Sequence, residues 1–132
     1  MLSGDFCLYC HVIKNNMKLT MCKTVCNDCP FSKDSLRGWL GPHTLEEILD
    51  TQQYEGLFSC HMRRKDESSE EEIRNGSLPI CRGFIASASA SCKLFGQTPT
   101  TGPELKRLQD MLTPNDKENI LSRWEFKNHH TI

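Results

Sequence analysis

The sequence predicts a small α-rich single domain stabilised by a metal, with α+β as the alternative class, and three observations lead there. Cysteine supplies 8 of the 132 residues, more than packing alone calls for. Hydrophobic residues make up 37% of the chain, and even with the 8 glycines added this stays below the roughly 45–50% usual for globular proteins. The core is therefore expected to be thin and to need a staple. Helix-start signals recur outside the cysteine-bearing loops, at Thr44 with Glu47 and at Thr101 with Glu104.

From Met1 to about Met21 no periodicity is visible, and Met17 is a second plausible start. Residues 1–21 read as an N-terminal extension, expected to be disordered, and residues 22–132 as a single metal-binding domain. Residues 22–43 hold Cys22, Cys26 and Cys29, then Pro30 and the glycine-bearing stretch from Leu36 to Pro42, and read as loop and turn. A helix is expected from the Thr44 capping box to about Gln53, with Leu45, Ile48 and Leu49 on its apolar face and Glu46, Glu47 and Asp50 on its solvated face. Gly56 is the expected stop.

Leu57, Phe58 and Ser59 then deliver Cys60. The polar segment from Arg63 to Ser77 reads as an exposed loop, and the Ala/Ser run from Cys81 to Cys92 as a short helix in which Cys92 is a buried small side chain. Beyond it, Leu105, Leu108 and Leu112 lie at helical spacing. Pro114 occupies a first helical position, with Ile120, Leu121 and Trp124 facing inward. The C-terminus is thus expected to be a helical pair, with His129 and His130 solvated at its frayed end.

Nothing near Met1 resembles a secretory signal, and no apolar run is long enough to cross a bilayer. A cytoplasmic location follows as the expectation, and in a reducing compartment paired cysteines read first as metal ligands. A disulfide-stapled fold is the alternative. Formal net charge is -1, with an acidic excess in the middle of the chain, and the basic triplet Arg63, Arg64 and Lys65 runs into acidic neighbours. That weakens nucleic-acid binding, which needs clustered Lys and Arg.

A tetrahedral site takes two thiolates from a C-x2-C turn and two from elsewhere, and several sets qualify. Cys26 and Cys29 combine with Cys60 and Cys81, or with Cys7 and Cys10, and on spacing alone the second set is the better match. Cys22, Cys26 and Cys29 also form C-x3-C-x2-C, the arrangement of radical S-adenosylmethionine enzymes. The chain is too short for their barrel, and Asp28 stands where they place an aromatic residue.

The strings Cys26-Asn27-Asp28-Cys29-Pro30-Phe31-Ser32-Lys33-Asp34, Gly38-Trp39-Leu40-Gly41, Phe58-Ser59-Cys60-His61 and Cys81-Arg82-Gly83-Phe84 resemble a family of uncharacterised small four-cysteine proteins from bacteria and their phages. The match spans roughly residues 22 to 95. The chain departs from the family pattern in Ser32, where arginine is common, and in the additional Cys7, Cys10, Cys22 and Cys92. The resemblance implies that Cys26, Cys29, Cys60 and Cys81 act together, in a bacterial or phage-infected host cell, and it implies no activity.

Zn²⁺ is the default occupant of four thiolates. A 4Fe-4S cluster is the rival, because Pro30 follows Cys29 as in ferredoxin-type loops. His61 is an alternative ligand or a hydrogen-bond partner of a ligated sulfur, and Cys7, Cys10 and Cys22 are candidates for a second site.

No catalytic residue emerges, because no G-x-S-x-G, P-loop or H-E-x-x-H pattern is present and Cys60 and His61 are poorly placed as nucleophile and base. The leading expectation is a phage- or prophage-encoded protein-interaction module that regulates a host factor. An iron-sulfur redox protein or enzyme is the second reading. A zinc-dependent nucleic-acid binder using Lys33 and the Arg63 triplet is the third. No membrane role is expected.

Overall fold

The computed structural model describes residues 17–25, 29–41, 43–59 and 70–131. Among these the chain forms five α-helices, one 3₁₀ turn and no strand. The mostly helical expectation therefore holds, and the α+β alternative reduces to isolated bridges. The helices are α1 (Leu45–Gln53), α2 (Glu70–Arg74), α3 (Arg82–Ala90), α4 (Gly102–Gln109) and α5 (Arg123–His130). The 3₁₀ turn, Pro114–Lys117, lies between α4 and α5.

Helix α3 is the centre. Its Gly83, Phe84, Ile85, Ala86, Ser87 and Ala88 are all buried, and the small ones among them, Gly83, Ala86, Ser87 and Ala88, let neighbouring elements approach closely. The 3₁₀ turn, α4 and α5 each pack on α3, and α1 packs on α5. Two helices, α4 and α5, do stand near the C-terminus, but each rests on the Ala/Ser helix.

Helix α1 starts as expected, with the Glu47 N–H donating to Thr44 Oγ1 at 3.1 Å, and it buries Ile48 and Gln52 while Glu46, Glu47 and Asp50 stay exposed. Its end differs from expectation. Glu55, not Gly56, takes the left-handed conformation, with φ 58°. The Gly56 N–H then donates to the Thr51 carbonyl at 2.8 Å.

Helix α4 also differs at its start. Thr101 makes no side-chain cap, and the Gly102 N–H donates instead to Thr98 Oγ1 at 2.9 Å. The expected last helix at Pro114 is only the 3₁₀ turn. The lasting helix begins at Ser122, whose side chain forms a reciprocal capping box with Glu125.

Residues 17–21, read as part of an extension, belong to the folded body. Met17 and Leu19 are buried, and the Lys18 N–H donates to the Arg74 carbonyl at 2.7 Å. Met21 bridges Ile80 in parallel while Ser59 bridges the same residue antiparallel. The segment expected as an exposed loop contains α2, and Ile73 within it is buried; residues 63–69 lie outside the described residues.

The core is built on phenylalanine. Phe31 stacks on Phe126 at 4.4 Å between ring centroids and meets Phe58 and Phe84 edge-on at 5.9 and 6.0 Å. Phe58 stacks on Phe84 at 5.3 Å. These offset-stacked and edge-to-face contacts stabilise beyond area burial by about 0.5–1.5 kcal/mol each. Trp124, expected to face inward, is 74% exposed. Residues Ile120 and Leu121 beside it are buried as expected.

Candidate metal centre

Cys29 opens a tight turn in which the Ser32 N–H donates to the Cys29 carbonyl at 2.9 Å. Cys81 is the N-cap residue of α3, with extended backbone. Both are buried, and their Sγ atoms stand 3.2 Å apart. Helix N-termini carry positive potential and unbonded N–H groups, an environment that suits anionic sulfur.

The approach depends on Gly83, the second residue of α3. A Cβ there would lie 2.6 Å from Cys29 Sγ and 3.0 Å from Phe31 Cβ. The glycine of the Cys81-Arg82-Gly83 string is thus a spacing requirement, and neither turn nor positive φ is involved.

Two further fastenings hold the cysteine segments. The Cys81 N–H donates to the Phe58 carbonyl at 3.0 Å, and Ser59, which precedes Cys60 in the chain, bridges Ile80, which precedes Cys81. Arg82 makes a two-point pair with Asp116, both bonds 2.8 Å, and reaches the Cys22 carbonyl at 3.0 Å. Hydrogen bonds from Arg82 pull the Asp116 carboxyl down to about 2 against the opposing effect of burial. Ser59 Oγ and Ser87 Oγ are buried with no hydrogen-bond partner among the described residues.

The loop after Cys29 is held by the C-terminal helix. His130, expected to be solvated, is buried. Its Nδ1 accepts the Gly38 N–H at 3.1 Å, which requires the neutral tautomer with the proton on Nε2, and Nε2 donates to the Pro30 carbonyl at 2.8 Å. Burial lowers the His130 pKa, the Pro30 carbonyl opposes this, and nearby His129 and Arg37 add to the lowering. His129 is also engaged, its Nε2 lying 2.9 Å from the Ser35 carbonyl.

Of the expected ligands, Cys29 and Cys81 are brought together. Cys26, Cys60, His61, Cys7 and Cys10 lie outside the described residues, as do Arg63, Arg64 and Lys65. Cys22 is half-buried, and its backbone N–H donates to the Ile80 carbonyl at 3.0 Å. Cys92, expected to be buried, is exposed and takes φ 59° at the end of α3. The helix ends before its side chain reaches the core. Among the described residues no group of three or more His, Cys, Asp or Glu converges as a metal-binding set.

Sequence reasoning missed Glu55. Its buried carboxylate accepts N–H bonds from Gly96, Gln97 and Thr98 at 2.7, 3.0 and 2.7 Å and the Thr98 hydroxyl at 2.8 Å. Burial raises its pKa, but these four donors together outweigh it and hold the carboxyl below its ordinary value. The residue fixes the loop leading into α4, and it has no more signal in the sequence than any glutamate before a glycine.

No helix among the described residues is long and apolar enough to cross a membrane. Comparison of the chain with protein-family models, with curated proteins and with solved structures finds no match.

Proposed function

We propose that the chain is a zinc-stabilised module that acts by binding another protein, with Cys26, Cys29, Cys60 and Cys81 as the zinc ligands. The observation that carries this reading is the buried Cys29 and Cys81 pair at 3.2 Å. Two thiolates on one tetrahedral zinc stand about 3.8 Å apart, given Zn–S bonds of about 2.3 Å, so the pair needs only a small adjustment. Thiolates on a 4Fe-4S cluster bind different irons at separate corners, and that wider spacing fits the pair less well. Zinc is thus favoured over the cluster, and an iron-sulfur protein remains the second reading.

An ion held by these residues would join the segment that carries Cys26 and Cys29, the segment that carries Cys60, and the N-terminus of α3. It would add an anchor to a core that is already packed. The protein-binding half of the reading is supported by large exposed side chains of types enriched at interfaces, among them Trp124 at 74%, Tyr54 at 73% and Met111 at 54% exposure.

The test is elemental analysis and visible absorption of anaerobically purified protein, beside a Cys26→Ser/Cys29→Ser variant. One zinc per chain, no colour and loss of zinc in the variant are expected. Iron with sulfide and visible absorption would replace zinc by the cluster. Metal-free, fully folded protein would remove the metal reading. In-cell crosslinking of wild type and Trp124→Ala then reads the partner, with a discrete adduct weakened in the variant as the expected result.

A further inference from the structure

We propose that Cys29 and Cys81 form the redox-sensitive edge of this site, closing to a disulfide under a hydroperoxide and so releasing the metal; the release rests on the zinc reading above, whereas the closure does not. The separation of 3.2 Å lies between two bonded states. It is shorter than the roughly 3.8 Å of two thiolates on zinc and longer than the ~2.05 Å of a disulfide, so either product needs only a small movement.

The surroundings keep the sulfurs converged. Gly83 leaves the space that Cys29 Sγ fills against α3. Cys81 is fixed by its N–H bond to the Phe58 carbonyl, and the Cys29 turn is tied to its neighbours by the bond from Leu121 N–H to the Phe31 carbonyl at 2.8 Å. Both sulfurs are buried, which favours a small neutral oxidant over a bulky disulfide reagent. Once one sulfur is oxidised, the other is already in contact with it.

In the reaction, one thiolate attacks an oxygen of hydrogen peroxide, forming an S–O bond as the O–O bond breaks. Hydroxide leaves and takes a proton to become water. The second thiolate attacks the resulting sulfenic sulfur, the S–S bond forms, and the S–O bond breaks to release a second hydroxide, which is protonated in turn. Two thiolates, one peroxide and two protons thus give one disulfide and two waters, with two electrons passing from sulfur to oxygen. A zinc that loses two of four thiolates is held far more weakly.

The sequence makes the product easy to identify. Trypsin cuts after Lys23, Lys33, Arg74 and Arg82, placing Cys26 and Cys29 in peptide 24–33, Cys81 in peptide 75–82 and Cys60 in neither. The experiment treats full-length protein of measured zinc content with stoichiometric hydrogen peroxide. It follows zinc with a chromogenic chelator and maps linkages by mass spectrometry, with a Cys92→Ser variant to remove the exposed thiol.

The expected result is a linked 24–33/75–82 pair, assigned to Cys29 by fragmentation and reversed by dithiothreitol. Zinc should be released in step with it, and the Cys92→Ser variant should behave identically. A Cys26–Cys29 link within peptide 24–33, a link to Cys60, or sulfinic acid without any link would overturn the proposal. If the purified protein holds no zinc, the metal reading fails at that step, and the linkage map alone still decides whether Cys29 and Cys81 close.

Discussion

His130 Nε2 donates to the carbonyl of Pro30 at 2.8 Å across 100 residues of sequence. The last turn of α5 thereby holds the residue that follows Cys29. Phe126, one turn earlier, stacks on Phe31, so the C-terminal helix grips the cysteine turn with one ring contact and one hydrogen bond.

Because Nδ1 accepts the Gly38 N–H, a proton on that nitrogen would place two donors face to face. The folded-state pKa of His130 is lowered, so its contribution to stability is complete above the unfolded value of 6.5 and is lost as pH falls from there through the folded value. Urea midpoints measured from pH 8 to pH 5 should fall below about 6.5. In His130→Ala that dependence should shrink and stability at pH 8 should drop by about 2–3 kcal/mol. An unchanged pH profile in the variant would assign the dependence elsewhere.

Gly83→Ala places a methyl 2.6 Å from Cys29 Sγ. Overpacking of this kind costs about 1–3 kcal/mol, and here it also pushes the sulfurs apart. Calorimetry should show a lower Tm, and zinc affinity should fall with it. A variant of wild-type Tm and zinc content would mean that the turn at Cys29 yields freely.

Glu55 combines a positive φ with a buried carboxylate. Glu55→Gly relieves the backbone strain but orphans the Gly96, Gln97 and Thr98 donors. We expect it to destabilise by about 2–3 kcal/mol, with Glu55→Gln intermediate. A stabilised Glu55→Gly would show that backbone strain outweighs the carboxylate's bonds.

Asp116 is lowered to about 2 from 3.8, chiefly by hydrogen bonds from Arg82. Its contribution is therefore present above pH 3.8 and lost as pH falls through about 2. Both side chains are about one-tenth exposed, and the shift corresponds to about 2 kcal/mol. Acid unfolding of Asp116→Asn should begin from a lower baseline and lack this component between pH 4 and 2. Equal acid curves for both proteins would remove the pair from the stability of the fold.

Trp124→Ala should change stability by less than about 0.5 kcal/mol, because the ring is 74% exposed. A loss of several kcal/mol on thermal unfolding would restore the inward position that the helical spacing suggests.

The sequence by itself determined the helical character, the start of α1, the Ala/Ser helix and the burial of Leu105, Leu108, Ile120 and Leu121. Each follows from local capping or from periodicity within one segment. The motif strings grouped Cys26, Cys29, Cys60 and Cys81 without saying how they meet; of these, Cys29 and Cys81 lie among the described residues, with their sulfurs 3.2 Å apart.

Only the tertiary structure decided the ends of helices and the fate of single polar residues. Thr101 makes no cap because its hydroxyl is turned to the Glu55 carbonyl at 2.7 Å, and Glu55 displaces Gly56 from the left-handed position because its carboxylate finds the Gly96 loop. Trp124 faces outward while Leu121 and Phe126 near it in sequence are the residues buried. His130 is buried because a carbonyl and an N–H far away in the chain offer it both a donor and an acceptor. Long-range partners of this kind leave no periodic trace, since one histidine or one glutamate reads the same in a solvated loop as in a closed hydrogen-bond network.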